Sequence, residues 1–330
     1  MNNIMNLIEA FDKNLISWLD GPPDKIIETI VSKLYFYGDK VYKVYKYEKY
    51  FFGDFGFFDF RKNFYEDDFA WNHAMAPDVY LNLRGVEIIN NQYKLTNLSK
   101  AEDFYIEMKK INVSKNLTNL LLKKQASKKD LTKITTETIL RVKKLTNERK
   151  SKSENLFKRK LKDMHKEDLE SDRNLLYMIS SYMPKAKTDE IIDFLKKTSE
   201  KNNYFEKYDS KNFLFLIDNH SDNIILFENK IGFIDVLPPK ESWRVGNPCF
   251  IICRLATDVA VLFNDEKAEL IYKTYEIFNG SLPKDIRAIY EIRSALIQIW
   301  CFYSQKKIQI AEKYLKFAEN KVTYLKNLQI

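Results

Sequence analysis

A chain of 330 residues with 45% hydrophobic and 30% charged side chains carries enough apolar groups to bury a sizeable core, which excludes intrinsic disorder. Its length suits about two domains or lobes of ~150 residues each. Eight Gly and eight Pro exclude collagen-like and low-complexity classes, and the net charge is +8.

The chain opens on MNNIMNLIEAFDKNLISWLD, with neither a basic start nor a continuous apolar run, so it does not read as a secretory signal. Residues 25–31 and 33–37 are rich in β-formers. Gly38-Asp39-Lys40 is a turn signal, and 41–47 alternates, which together predict a hairpin across Gly38-Asp39. Thirteen of the 26 residues from 35 to 60 are Tyr or Phe. Such a cluster suits half-buried strand positions or a stacking platform for bases, and the alternation favours strands. A helix is predicted over 60–75, stopped at Ala76-Pro77, with further strands at 79–86, 87–94 and 104–108. The pattern is helical from 118 to about 209, returns to strands at 213–217 and 224–236 across a turn at 228–230, and is helical again after 255. No internal repeat is visible. The expected order is a β-rich part, 1–110, then a larger helical part, 111–330.

Basic character is concentrated. Residues 109–166 hold 19 Lys and Arg against 5 Asp and Glu, which leaves the rest of the chain net negative. A solvated helical face accounts for such a stripe, and an anionic partner is the functional alternative. Three cysteines, Cys249, Cys253 and Cys301, do not make a disulfide framework or a four-ligand zinc site, and they point to a reducing compartment. No run reaches the ~18 apolar residues of a membrane span. A soluble, cytoplasmic protein of undetermined oligomeric state is expected.

The chemistry lies in Leu216-Ile217-Asp218-Asn219-His220-Ser221-Asp222-Asn223, followed by Gly232-Phe233-Ile234-Asp235. Asp218 ends a short strand, and Asn223 and Asp235 fall at the start and the end of a strand pair. Two oxygen ligands suit Mg²⁺ bound together with phosphate oxygens, and Asp218 would accept a hydroxyl proton. Upstream, Lys43 stands on a strand and Glu66, Asp67 and Asp68 on the following helix. A strand lysine paired with a helix carboxylate is how kinase-like enzymes hold nucleotide phosphates.

In Gly38-Asp39-x-Val41-Tyr42-Lys43, then Asp54-Phe55-Gly56-Phe57-Phe58-Asp59-Phe60, then Ala76-Pro77-Asp78-Val79-Tyr80-Leu81, the chain resembles the aminoglycoside-phosphotransferase-like kinases. Within them it is similar to a bacterial group sometimes fused to a second ATP-binding domain. The resemblance spans roughly 26–263. It implies an α+β, two-lobed protein-kinase-like fold and ATP-dependent phosphoryl transfer to a hydroxyl of a small molecule. By position it implies Lys43 on the ATP phosphates with Asp68 as its partner, Glu107 and Lys109 at the adenine hinge, Asp218 as base, and Asn223 and Asp235 as Mg²⁺ ligands. Asp258 would be structural, and Asp54-Phe55-Gly56, which precedes the catalytic loop, would have no metal role. Three departures stand out. Leu216-Ile217-Asp218 replaces the family's His-Gly-Asp, Asp68 is one methylene shorter than the usual Glu, and 28–32 lacks glycine, which leaves Thr29 and Ser32 to cradle phosphate. They keep open a nucleotide-binding module with weak or no turnover.

Overall fold

The computed structural model describes residues 6–89, 92–201, 213–227 and 230–328. It divides into two compact units, one of residues 1–114 and 227–240, the other of 115–226 and 241–330. The border thus falls four residues beyond 110. The 227–240 segment joins the first unit because its backbone and Asp235 are bound there by Asn72, Tyr80 and Lys43.

The first unit begins with α1 (Leu7–Asp12), capped by Asn6, whose side chain accepts the Glu9 N–H. Strands β1 (Lys25–Glu28), β2 (Ser32–Tyr37) and β3 (Lys40–Tyr45) follow. The expected hairpin is present, with Tyr37 opposite Lys40 and Gly38 at φ +58, a value that glycine adopts without strain. The aromatic segment folds into two short strands, β4 (Lys49–Tyr50) and β5 (Gly53–Asp54), which alternation did not reveal. Here Phe55 is fully buried against Tyr45, Phe60 and Phe64, and Asp54 accepts the Gly56 N–H. Phe55 and the rings around it are therefore packing, while Phe51 and Phe57 are exposed, and Asp54 closes a turn.

Helix α2 (Phe58–Met75) starts two residues earlier than predicted, and its C-cap is Ala76, ahead of Pro77. It buries Arg61, Phe64, Tyr65, Asp68, Trp71, Asn72 and Met75, a stripe at helical spacing that places Asp68 and Asn72 one turn apart on the buried side. Strands β6 (Tyr80–Ile89), β7 (Gln92–Thr96) and β8 (Asp103–Lys109) complete an antiparallel sheet of order β1-β2-β3-β8-β6-β7. The β6–β7 pairing runs to Ile89↔Gln92, so the break expected at 86/87 lies three residues later. Helix α1 was not foreseen. Its Leu7, Ile8 and Phe11 join Tyr35, Tyr42, Val44, Val86 and Tyr105 in one core on the sheet. Alternation along β3 sends Tyr42 and Val44 to that core, which leaves Lys43 on the opposite face, where it meets α2.

The second unit carries α3 (Leu117–Leu122), α4 (Lys128–Arg149), α5 (Glu154–Phe157), α6 (Leu161–Tyr177) and α7 (Lys185–Lys201). Residues 202–209 of the expected helical run lie outside the described residues. Ser127 and Asp130 cap α4 reciprocally, each side chain accepting the other's backbone N–H. Strand β9 (Leu214–Phe215) is shorter than the 213–217 expected. The strand pair expected over 224–236 is present as β10 (Ile224–Phe227) and β11 (Lys230–Phe233), and 228–229 of the expected turn lie outside the described residues. Strand β12 (Val245–Gly246) pairs with β9. Helix α8 (Cys249–Leu262) begins six residues before the predicted 255, followed by α9 (Asp265–Asn279), α10 (Lys284–Ser304) and α11 (Ile308–Leu328). Most lysines of the 109–166 stripe are exposed, and several of its basic side chains pair locally, as in Arg141–Glu137 and Lys158–Glu154. Among the described residues no helix is long and apolar enough to cross a membrane.

Candidate active site

In the first unit, Lys43 is buried, and its Nζ donates to Asp68 Oδ2 at 3.2 Å and to Asp235 Oδ1 at 3.0 Å. Burial works against the ammonium charge, but Asp235 and Asp68 outweigh it and push the Lys43 pKa well above the usual lysine range. Of the three adjacent acids Glu66, Asp67 and Asp68 on α2, the fold places Asp68 on Lys43. Glu66 is exposed, and Asp67 is only half-buried. Asp235 differs from Asp68 in one decisive way: its side chain is 70% exposed against 3%. Its backbone lies at φ +51, a left-handed conformation that Asp tolerates better than most residues, at a cost of roughly 1–3 kcal/mol.

Glu107 and Lys109 are the fifth and last residues of β8. The Glu107 side chain accepts from Lys40, Arg84 and Asn82, while the Lys109 N–H donates to Val79 O. Lys40 and Arg84 outweigh burial and hold the Glu107 carboxyl below the usual range. Thr29 and Ser32 close the β1–β2 turn on each other. Ser32 N–H donates to Thr29 Oγ1 at 2.9 Å, Thr29 N–H donates to Ser32 O at 2.8 Å, and the two hydroxyls are 3.0 Å apart. Tyr50 donates to Ile30 O and ties the turn to the aromatic segment.

In the second unit, Asp218 follows β9 and forms an ion pair with Arg254 of α8, whose side chain is 3% exposed. His220 Nε2 lies 3.6 Å from the other carboxylate oxygen. Burial pushes the Asp218 carboxyl up, but Arg254 and His220 more than reverse this and hold it below the ordinary carboxylate range. Asn223 donates its Nδ2 to Asp218 O at 3.0 Å, which fixes which end of the amide carries the oxygen. Asp258, fully buried on α8, accepts the Ser221 N–H at 2.6 Å and also bonds Gln298 and Tyr314. It clamps the 218–223 loop and has the structural role expected of it. Leu216, in the position of the family's His, is buried, and its N–H donates to Arg244 O. Sequence reasoning missed Arg254, Asn72 and Tyr80. Arg254 is a charge inside the most apolar stretch of the chain, 249–263, and that anomaly is the available signal.

No family model matches the chain, and no curated protein matches it in sequence. Solved structures do. The GDP and kanamycin complex of APH(2")-IIia superposes with a TM-score of 0.54 at 9% identity, over 96% of this chain and 99% of that one. A thermostable mutant of the aminoglycoside phosphotransferase APH(4)-Ia, in its apo form, gives 0.51 at 11% identity, over 92% and 96%. With its six-stranded antiparallel sheet and its mostly helical second unit, the chain has the two-lobed, kinase-like α+β fold of aminoglycoside phosphotransferases.

Proposed function

We propose that this protein is an ATP-dependent phosphotransferase that moves the γ-phosphoryl group of ATP to a hydroxyl of a small molecule. The buried Lys43–Asp68 pair with Asp235 as its exposed third member carries the reading. An ammonium fixed by one buried carboxylate and one solvent-facing carboxylate is what a phosphate-binding lysine beside a metal-binding acid requires.

In this reading Lys43 neutralises charge on the ATP phosphates and Asp68 holds it in place. Adenine is met by backbone at Glu107 and Lys109. Thr29 and Ser32 shape the turn over the phosphates. The donors at Asn223 and Asp235 are hard oxygens, one an exposed carboxylate and one the oxygen end of an oriented amide, and they fit Mg²⁺, which would neutralise charge on the phosphate oxygens. Asp218 accepts a hydrogen bond from the acceptor hydroxyl and orients it. The acceptor oxygen bonds to the γ-phosphorus, the bond to ADP breaks, and the hydroxyl proton passes to Asp218. The ion pair with Arg254 keeps Asp218 ionised and so able to accept. A carboxylate held this acidic is a weak base, which suits a loose transition state in which orientation matters more than early proton removal.

The test is thermal unfolding with and without Mg-ATP, together with release of ADP over a panel of alcohol acceptors. At 100 times its Kd a ligand stabilises by ~2.7 kcal/mol. A Mg²⁺-dependent rise in Tm that Asp235→Ala abolishes, with acceptor-dependent ADP release that Asp218→Asn abolishes, is the expected result. No rise with any nucleotide would end the reading. A second reading, a nucleotide-binding module without turnover, is favoured by Leu216 and by the mutual engagement of Thr29 and Ser32. It predicts the same rise in Tm with no acceptor-dependent ADP.

A further inference from the structure

One turn of α2 beyond Asp68 stands Asn72, whose side chain is fully buried. A buried amide needs partners for both its N–H groups and its oxygen. Here all three find one. Nδ2 donates to Asp68 Oδ1 at 2.8 Å and to Asp68 O at 2.9 Å, and Oδ1 accepts the Val236 N–H at 3.0 Å. The neighbouring Asp235 N–H donates to the Tyr80 hydroxyl at 3.0 Å. Two successive backbone N–H groups, at a residue held at φ +51, are therefore set by side chains from α2 and β6.

We propose that Asn72, with Tyr80 as its companion, is a positioning residue that sets the direction of the Asp235 carboxylate and locks it to the position of Asp68. The inference rests on the reading of Asp235 as a Mg²⁺ ligand. Asn72 touches neither phosphate nor metal. It acts by joining the carboxylate that anchors Lys43 to the backbone that carries the metal-binding carboxylate. A shift of α2 is thus transmitted to Asp235 through one amide. An apolar residue of similar size would fill the space but break the link. An aspartate would keep an acceptor for Val236 but face the Asp68 carboxylate with a like charge.

The experiment compares wild type, Asn72→Ala and Tyr80→Phe. Nucleotide binding is followed by thermal shift across a Mg²⁺ titration and without Mg²⁺, and hydrogen exchange of the Asp235 and Val236 amides is measured in the metal-free, nucleotide-free protein. The expected result is Mg²⁺-free ATP binding close to wild type in both variants, since Lys43 and Asp68 remain. The Mg²⁺ needed for the half-maximal effect should rise 10-fold or more, as for other residues that orient metal ligands. The Val236 amide should lose protection in Asn72→Ala and the Asp235 amide in Tyr80→Phe. An unchanged Mg²⁺ requirement in a folded Asn72→Ala protein would reduce Asn72 to packing and overturn the proposal alone. If Asn72→Ala does not fold, Tyr80→Phe decides in the same way, because it removes a single oxygen. Wild type without any Mg²⁺-dependent nucleotide effect would sink the site reading and the proposal together.

Discussion

Asp68 and Asp235 both bind Lys43, yet their burial predicts opposite consequences of the same substitution. Asp68→Asn keeps shape but removes charge from a side chain that is 3% exposed. Its amide N–H groups would face the Lys43 ammonium or the Asn72 donor, and the buried lysine would retain only Asp235. Breaking a buried pair from one side costs about 3–5 kcal/mol, and the surviving Asp235 contact places Asp68→Asn near the lower end. Asp235→Asn alters a side chain that is 70% exposed, keeps a residue type that accepts φ +51, and leaves Lys43 with Asp68. An exposed pair is worth about 0–1 kcal/mol, so this variant should lie within that range of wild type. At roughly 2–4 °C per kcal/mol or somewhat less for a chain of this length, Asp68→Asn should lower Tm by several degrees and Asp235→Asn by no more than a few. Both should lose Mg-ATP stabilisation. Matched scans without ligand, then with Mg-ATP, separate the two effects. Equal destabilisation would mean that Asp235 is a structural counter-ion and not a ligand waiting for a cation. A silent Asp68→Asn would refute the anchoring of Lys43 altogether.

Other consequences are as open to measurement. Arg254→Met should lower acceptor-dependent turnover by 10-fold or more and move the acidic limb of the pH–rate profile upward, since Arg254 holds the Asp218 carboxyl low. An unshifted limb would separate Arg254 from Asp218. Asp258→Ala leaves the buried Ser221 N–H and the Tyr314 hydroxyl without their acceptor and should cost about 2–4 kcal/mol by urea unfolding; a loss under about 1 kcal/mol would show that the loop is clamped elsewhere. Burial, with Arg293 nearby, holds the His165 pKa well below its usual value, so the folded state resists a proton that the unfolded chain accepts below about pH 6.5. Stability should be intact above that pH and fall by ~1.4 kcal/mol per unit as pH drops below it, until the folded state also titrates. His165→Gln should flatten this slope. Thr29→Val should cost about 1 kcal/mol through the turn while changing ATP affinity less than threefold; a larger loss of affinity at unchanged Tm would make the hydroxyl a phosphate ligand.

The sheet was legible because its signals are local. A Gly at positive φ marks the β2–β3 turn, and alternation along β3 places Lys43 opposite Tyr42 and Val44 in facing. Among three adjacent acids Asp68 is assigned by the family resemblance alone, and the helix that buries Phe64, Tyr65 and Trp71 also buries position 68. What escaped was structure made by distant partners. Helix α1 is six residues long, and the local Asn6 cap is joined by Phe11 stacking on Tyr35 and by the Tyr47 hydroxyl accepting the Leu7 N–H. Nothing in the local pattern announces those contacts. The 227–240 segment escaped for the same reason. Its place in the first unit depends on Asn72 and Tyr80, more than 150 residues earlier in the chain.

The departures from the family pattern look different once their surroundings are known. With Leu216 in place of the His, this position supplies no side-chain hydrogen bond to the loop that carries Asp218. Four other groups constrain that loop. Arg254 binds the Asp218 side chain, Asn223 binds its carbonyl, and Asp258 binds the Ser221 N–H, with Thr118 on the Ser221 hydroxyl. Arg254 and Asp258 sit one turn apart on α8, so a single helix holds the loop at Asp218 and at Ser221. The helix behind the loop thus supplies a guanidinium and a carboxylate to it, while Asn223 ties the loop to itself from within. The Arg254 charge is tolerated in an apolar helix because Asp218 lies against it, with Asp258 one turn away, and the same contact, with His220, holds the Asp218 carboxyl low. Loop geometry and the protonation state of the proposed base are therefore one interaction, and any substitution at Arg254 must change both.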